Sequence, residues 1–299
     1  MIKIGFSSAV CPGWDLETVV EHAASMGYDG VELRGLRGEL DLPLLPRIAA
    51  HPEGVRELFR KHKVELVCLG SSASLDSKRP AEVARQKAAL IEFIELASRL
   101  GCPNVRLFIG EVQRRDDPRL ALARISEALL SLAPVAARRG VTLLVENGGD
   151  FCGSADLWFV IDSVDHPAVR CCWNQCNAMT LGERPTNSVP RLGGKIGLVH
   201  LCDAAFDEQG VLLDYKPLGQ GDTEVAKQIE LLRGLIYDRY VVFEWPKLWV
   251  DSLPAPEAVL PDAAAFLRGR IAEKQPILSA YKGDKNAPKL AARQAAAPA

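Results

Sequence analysis

The sequence has little histidine, few aromatic residues and almost no net charge. Its 299 residues include 5 histidines, the aromatic content is 6%, and the formal net charge is −2. Proteins that bind nucleic acid normally present a basic face, so this balance argues against such a partner. We see no apolar run of membrane-spanning length, and the opening segment MIKIGFSSA is typical of a strand rather than a cleavable signal. We therefore expect a cytoplasmic protein that binds neither nucleic acid nor membrane.

The eight cysteines lack the paired clusters of a structural zinc cage. Cys68, Cys171, Cys172 and Cys202 lie in apolar, strand-like segments, where a reduced thiol serves as a small hydrophobic group. Cys176 follows two of them closely, but this spacing fits no standard zinc site. We therefore expect buried free thiols.

The chain alternates short apolar segments with longer amphipathic ones. Eight segments are predicted to be strands, namely IKIGFSS, DGVELR, VELVCLG, NVRLFIG, VTLLVEN, VRCCWN, IGLVHLC and YVVFEW. Apolar residues recur every three or four positions between them, and Gly27, Gly101 and Gly140 follow three of these stretches, as is typical of helix ends. This alternation favours a closed (βα)8 TIM barrel of the α/β class. An open doubly wound sheet is the alternative, but no glycine-rich phosphate loop follows the first strand.

We expect one domain, the barrel, over residues 1–281. The remainder, residues 282–299, has no apolar stripe that would hold it on a core, and it is predicted to be a flexible tail.

Three polar residues share one local context. Glu146 in VTLLVENGG, His200 in IGLVHLCDA and Glu244 in YVVFEW each end an apolar, β-branched segment. The carboxyl ends of barrel strands meet at one mouth, so these side chains are expected to converge there. Two carboxylates and an imidazole are ligands that suit a divalent metal.

The order of motifs along the chain resembles the xylose isomerase-like barrel family, which includes sugar phosphate isomerases, ketose 3-epimerases and related endonucleases. The resemblance spans roughly residues 1–275, and its segments are GYDGVELRG, VENGG, a Trp-Asn pair, HLCDA, PLGQGD and FEW. It implies a metal site formed by Glu146, the strand-six residue Asn174, His200 and Glu244. It also implies a divalent metal cofactor (Mn²⁺, Mg²⁺, Co²⁺ or Zn²⁺) and a carbohydrate substrate.

In this family, the two glutamates act as the bases that move a proton beside a carbonyl. Glu146 and Glu244 are therefore expected to be catalytic as well as metal-binding, and the reaction to be an isomerisation or epimerisation through an enediolate. An endonuclease of this family would need a histidine-rich zinc site, which five histidines do not supply.

The chain departs from the epimerase pattern at several positions. Asn174 and Asn177 stand where epimerases have Asp-x-x-His, Cys152 where some have a second glutamate, and Phe206 where they have an arginine. These departures leave two alternatives open: a keto-sugar dehydratase or lyase on the same site, and a noncatalytic sugar-binding barrel with a degraded metal site.

Five residues near strand ends are predicted to contact the substrate: Glu32, Arg34, Asn177, Asp203 and Lys216. Glu32 and Arg34 point to the same side of strand two, where they would either pair with each other or present a fork to a hydroxylated or anionic group. Lys216 follows strand seven in a loop, a common place for binding residues. The sequence leaves the assembly state open, including a homo-oligomer.

Overall fold

The computed structural model describes residues 1–273, so the predicted tail at residues 282–299 lies outside the described part. Eight parallel strands close into a barrel in which each is bonded to its neighbours along the chain, and the last is bonded to the first. They are β1 (Lys3–Ser7), β2 (Gly30–Leu33), β3 (Glu65–Ser74), β4 (Asn104–Phe108), β5 (Thr142–Glu146), β6 (Val169–Asn174), β7 (Ile196–Leu201) and β10 (Tyr240–Phe243). The predicted (βα)8 barrel is confirmed, and all eight predicted segments form its strands.

Helices surround the barrel. They are α1 (Leu16–Ser25), α2 (Pro46–Ala49), α3 (Pro52–His62), α4 (Pro80–Leu100), α5 (Pro118–Arg138), α6 (Ser154–Val164), α7 (Gln175–Met179), α8 (Pro185–Leu192), α9 (Val225–Gly234) and α10 (Pro256–Ala272). Their ends follow from local chemistry: the Asp15 side chain accepts from the Thr18 N–H and caps α1. Gly101 ends α4 at φ 70°, a left-handed conformation that glycine adopts without strain.

The interior of the barrel has an apolar layer beneath a polar one. Leu144, Cys172, Leu198 and Val242 belong to one buried cluster inside the barrel. Each lies two residues before a polar residue at the end of its strand, so it points to the same face one layer deeper. This apolar layer closes the floor and confines the polar side chains to the mouth.

Residues after β7 form an antiparallel hairpin, where the sequence predicts a loop. It consists of β8 (Asp203–Phe206) and β9 (Leu212–Lys216), with Asp203 paired to Lys216. All eight cysteines are free and all but Cys152 are buried, as predicted.

The prediction that no segment reaches membrane-spanning length is wrong for α5. Residues 118–138 are long and apolar enough by length and composition, and half of that stretch is buried within the structure. The helix packs on α4, α6 and β5, as an outer helix of a barrel does. A helix packed on the core of a soluble protein can be as long and as apolar as a membrane-spanning one.

Two glycines allow a test of how tightly the barrel is packed. A Cβ on Gly30 in β2 would lie 2.9 Å from the Glu65 carbonyl oxygen and would collide with Val67, whereas a Cβ on Gly54 in α3 meets nothing within 4 Å. We expect Gly30→Ala to lower the free energy of unfolding by about 2 kcal/mol or more through overpacking. Gly54→Ala, the matched control, should raise it by about 0.5 kcal/mol through helix propensity. Urea titrations measure both, and equal effects of the two substitutions would contradict this packing.

Candidate active site

A histidine lies at the centre of the polar residues at the mouth. His200 on β7 is fully buried, and its Nε2 lies 2.9 Å from a Glu32 oxygen. Its Nδ1 lies 2.9 Å from Glu146 Oε1 and 3.2 Å from Glu244 Oε1. Burial disfavours the protonated ring, but Cys172 and the three glutamates together raise the pKa of His200 well above its ordinary value. Both ring nitrogens face carboxylate oxygens, an arrangement that suits the protonated imidazolium.

An arginine braces one of these carboxylates from the neighbouring strand. Arg106 on β4 is 1% exposed, and its Nε lies 3.1 Å from Glu146 Oε2. This contact is an ion pair by distance but lacks the alignment of a hydrogen bond, since Nε has no hydrogen-bond partner. The guanidinium is held in place by a 2.7 Å bond from Nη1 to the Ser71 carbonyl oxygen and by the Phe108 ring, whose centre lies 4.2 Å away.

The surroundings push the two strand-end glutamates to different pKa values. Burial opposes ionisation of Glu146, but His200 and Arg106 outweigh it and lower the pKa of this carboxyl from 4.5 to about 2. Burial raises the pKa of Glu244 to about 7; His200 opposes this increase, and the negative charges of Glu146 and Glu32 add to it. At neutral pH, Glu146 is therefore ionised, while Glu244 exchanges a proton readily.

Asn174 presents its amide nitrogen, not its oxygen, to the glutamates. Nδ2 donates to Glu146 Oε1 at 3.0 Å and to Glu244 Oε2 at 3.1 Å. Its Oδ1 accepts from the backbone N–H groups of Cys176 and Asn177 and so caps α7. These bonds fix the amide orientation, because a flipped amide would place N–H groups against N–H donors and oxygen against carboxylates.

Glu32 and Arg34 lie beside this cluster and do not pair with each other. The Glu32 carboxylate accepts from the Ser7 hydroxyl as well as facing His200. Arg34 is 3% exposed, and its Nη2 donates to the Ser72 hydroxyl at 2.9 Å. Gly70 makes this packing possible, because a Cβ there would lie 2.9 Å from Arg34 Cδ and 3.3 Å from Glu32 Oε1.

A cavity of about 170 Å³ opens above the cluster at the carboxyl ends of the strands. Its wall includes Arg106, Phe108, Glu146, Asn174, Asn177, Tyr215, Glu244 and Trp249. A larger depression of about 480 Å³ adjoins it and shares Phe108. The sequence did not predict three aromatic residues of this lining, Phe108, Tyr215 and Trp249. The available signal was an aromatic residue near a strand end, and it does not distinguish these residues from other tryptophans near strand ends.

Four of the five predicted substrate residues do not line this cavity: Glu32 and Arg34, described above, and Asp203 and Lys216. The Asp203 carboxylate accepts the backbone N–H groups of Gly219, Gly221 and Thr223 at 2.8, 3.0 and 3.2 Å, so it shapes the loop after the hairpin. Lys216 lies on β9 and bonds Asp214 at 2.8 Å. The fifth predicted substrate residue, Asn177, lines the cavity, and its side chain donates to the Asn147 carbonyl oxygen at 2.8 Å.

The donor set suits a divalent metal at three of the four predicted positions. Two sets of three residues could each hold a metal ion, because the ligand atoms within each set lie within 4.8 Å of one another. The sets are Glu146, Cys172 and His200, and Glu32, His200 and Glu244. His200 belongs to both, and its Nδ1 faces both Glu146 and Glu244, so a cation taking the place of that proton would meet three ligands. Asn174 offers a nitrogen there and would have to give up the cap of α7 to turn its oxygen inward.

The chain belongs to the xylose isomerase-like TIM barrel family, whose pattern it matches over residues 20–270. An uncharacterized protein of Mycobacterium leprae, ML2432, is 25% identical to it, and the aligned part covers 90% of this chain and 97% of that protein.

Three solved structures share the fold. The IOLI protein with a binding zinc atom has a TM-score of 0.79 at 17% identity, covering 90% of this chain and 98% of that one. A probable 3-DHS dehydratase of Bacillus anthracis, AsbF, has a TM-score of 0.74 at 15% identity, and the match covers 89% of this chain and 99% of that one. D-psicose 3-epimerase of Clostridium cellulolyticum H10 has a TM-score of 0.73 at 17% identity, and the match covers 90% of this chain and 99% of that one. At these identities the likeness establishes the fold alone.

The opposite environments of Glu146 and Glu244 predict opposite effects of the same substitution. Glu146→Gln leaves Arg106 and His200 short of a buried partner, so in the presence of a chelator it should lower the free energy of unfolding by about 3 kcal/mol at pH 7. The folded-state pKa of Glu146 is depressed, so this loss should diminish as pH falls from about 4.5 toward 2.

Glu244→Gln should cost much less and should become neutral or stabilising above about pH 7, because the raised pKa of Glu244 means that its ionised form is disfavoured in the folded state. Chemical denaturation of the wild type and both variants between about pH 2 and pH 8 measures the difference. Equal losses with equal pH dependence would show that the two carboxylates share one environment.

Proposed function

We propose that this chain is a divalent-metal-dependent isomerase or epimerase of a sugar or a sugar-like substrate. The observation that carries the proposal is the convergence of Glu146 and Glu244 on one cavity, with Nδ1 of the fully buried His200 in contact with both carboxylates. Family membership is consistent with this reaction, and the epimerase and the zinc-bound protein among the structural neighbours support it.

The reaction requires a proton to leave the carbon beside a carbonyl and to return elsewhere or on the other face. A bound divalent metal would polarise that carbonyl and neutralise the oxyanion that develops. Glu146, His200 and Glu244 would hold it, with Asn174 as the fourth predicted position.

Glu244 and Glu146 have different parts in the proposed proton transfer. Glu244 is the more accessible carboxylate, with its side chain 22% exposed against 3% for Glu146, so it reaches the substrate from the cavity side. Arg106 keeps Glu146 ionised, and the Asn174 amide donates to both carboxylates and sets their separation. Phe108 and Trp249 add aromatic surface to the lining of the same cavity.

A keto-sugar dehydratase or lyase is the second candidate function. Its first step is the same proton abstraction, after which a β-substituent leaves instead of the proton returning. The AsbF dehydratase among the structural neighbours supports this candidate. Elimination products detected in the exchange experiment below would favour it.

We expect Glu146→Gln and Glu244→Gln to abolish proton exchange between the substrate and solvent. Each variant keeps the side-chain volume and an oxygen but loses the basic carboxylate, so exchange should fall by about 10²-fold or more. The measurement is proton NMR of a ketose and aldose panel in D₂O with the diamagnetic Mg²⁺ present. Glu230→Gln on α9, an exposed carboxylate paired with Lys227, is the matched control and should exchange at the wild-type rate. Full exchange by both active-site variants would remove the two-base mechanism.

We expect Asn174→Asp to tighten Mn²⁺ or Mg²⁺ binding by at least about tenfold. The nearly isosteric change adds a third carboxylate to the metal ligands, where Asn174 now offers an amide nitrogen to Glu146 and Glu244. Without metal, the same variant should unfold at lower temperature, because three carboxylates would face each other and two hydrogen bonds would be lost.

Calorimetric titration and thermal unfolding measure the two effects. An Asp variant that binds metal no better would show that residue 174 does not reach the ion. If neither protein bound metal, the hypothesis of a noncatalytic sugar-binding barrel would replace that of a metal-dependent enzyme.

A further inference from the structure

Two cysteines from neighbouring elements meet on the wall of the cavity. Cys176 lies in the first turn of α7, directly after β6, and Cys202 follows the last residue of β7. β6 and β7 are paired up to Asn174 and His200, two residues before each cysteine. The two side chains belong to one contact cluster with Ala204, and their thiols are within hydrogen-bonding reach of each other.

This pair differs from the other cysteines in being reachable from the cavity. Cys176 and Cys202 are 4% and 6% exposed, and both line the cavity beside Tyr215 and Glu244. The other buried cysteines do not line it, and Cys152 is half-buried with its thiol directed to the Gly149 carbonyl oxygen. A small oxidant that enters the cavity therefore meets two adjacent thiols at this one place.

We propose that Cys176 and Cys202 form a reversible intramolecular disulfide when a peroxide enters the cavity. One sulfur attacks the peroxide O–O bond and becomes a sulfenic acid, and the peroxide leaves as water or an alcohol. The second sulfur then attacks the sulfenic sulfur, forming the S–S bond and releasing water. The two thiols lose two electrons and two protons in total, and the peroxide gains the two electrons.

The cross-link would join the first turn of α7 to the end of β7. Asn174 both caps α7 and donates to Glu146 and Glu244, so a change in the position of α7 is transmitted directly to the cluster. α7 packs on β7 and β8, the two strands on either side of Cys202, and a disulfide requires a Cα separation of about 4.4–6.8 Å. The inference stands on these positions and does not depend on the reaction proposed above.

The experiment treats the reduced full-length protein with a few equivalents of hydrogen peroxide. We expect two of the eight thiols to be lost, the intact mass to fall by about 2 Da, and dithiothreitol to reverse both. Chymotryptic cleavage after Trp173 separates Cys176 from Cys171 and Cys172, so a non-reduced peptide map of the wild type identifies the linked pair without any variant.

Cys176→Ser and Cys202→Ser should each abolish the loss of mass, whereas Cys152→Ser, the control, should retain it. Three results would overturn the proposal: no thiol loss under these conditions, a linked pair other than Cys176 and Cys202 in the wild-type map, or products that dithiothreitol does not reduce.

Discussion

The buried contact between His200 and its carboxylates organises the mouth of this barrel. An imidazolium with glutamates on both ring nitrogens would be costly in an apolar interior if any partner were missing. An apolar layer lies beneath the cluster, and two of its glutamates, Glu146 and Glu244, line the cavity above. This one constraint explains why Glu32, Glu146 and Glu244 come from three separate strands, and why Arg106 approaches from a fourth.

Asn174 connects this electrostatic cluster to the structure around it. With one amide it caps α7 and bridges two glutamates, so the helix at the cavity wall and the charges at its floor move together. An aspartate in its place would cap the helix equally well but could not donate to a carboxylate. The asparagine is therefore suited to a site that must hold two carboxylates close together before any cation arrives.

The architecture was predictable because parallel strands that are buried on both faces have a distinctive composition. Eight apolar, β-branched segments separated by amphipathic stretches lead to one closed topology, and the family match agrees with it. The β8–β9 hairpin and the short helices α7 and α8 were not predicted. Such elements are too short for a periodic pattern, and their pairing, such as Asp203 with Lys216, depends on contacts made after the barrel has closed.

The sequence by itself determined which residues stand at the ends of strands, and therefore that Glu146, His200 and Glu244 would face one mouth. Only the tertiary structure decided which atoms they present. The direction of the Asn174 amide and the ion pair of Arg106 with Glu146 both depend on register between strands far apart in the chain. Local sequence carries no record of that register, because it is set when the barrel closes and the side chains of different strands compete for the same small interior volume.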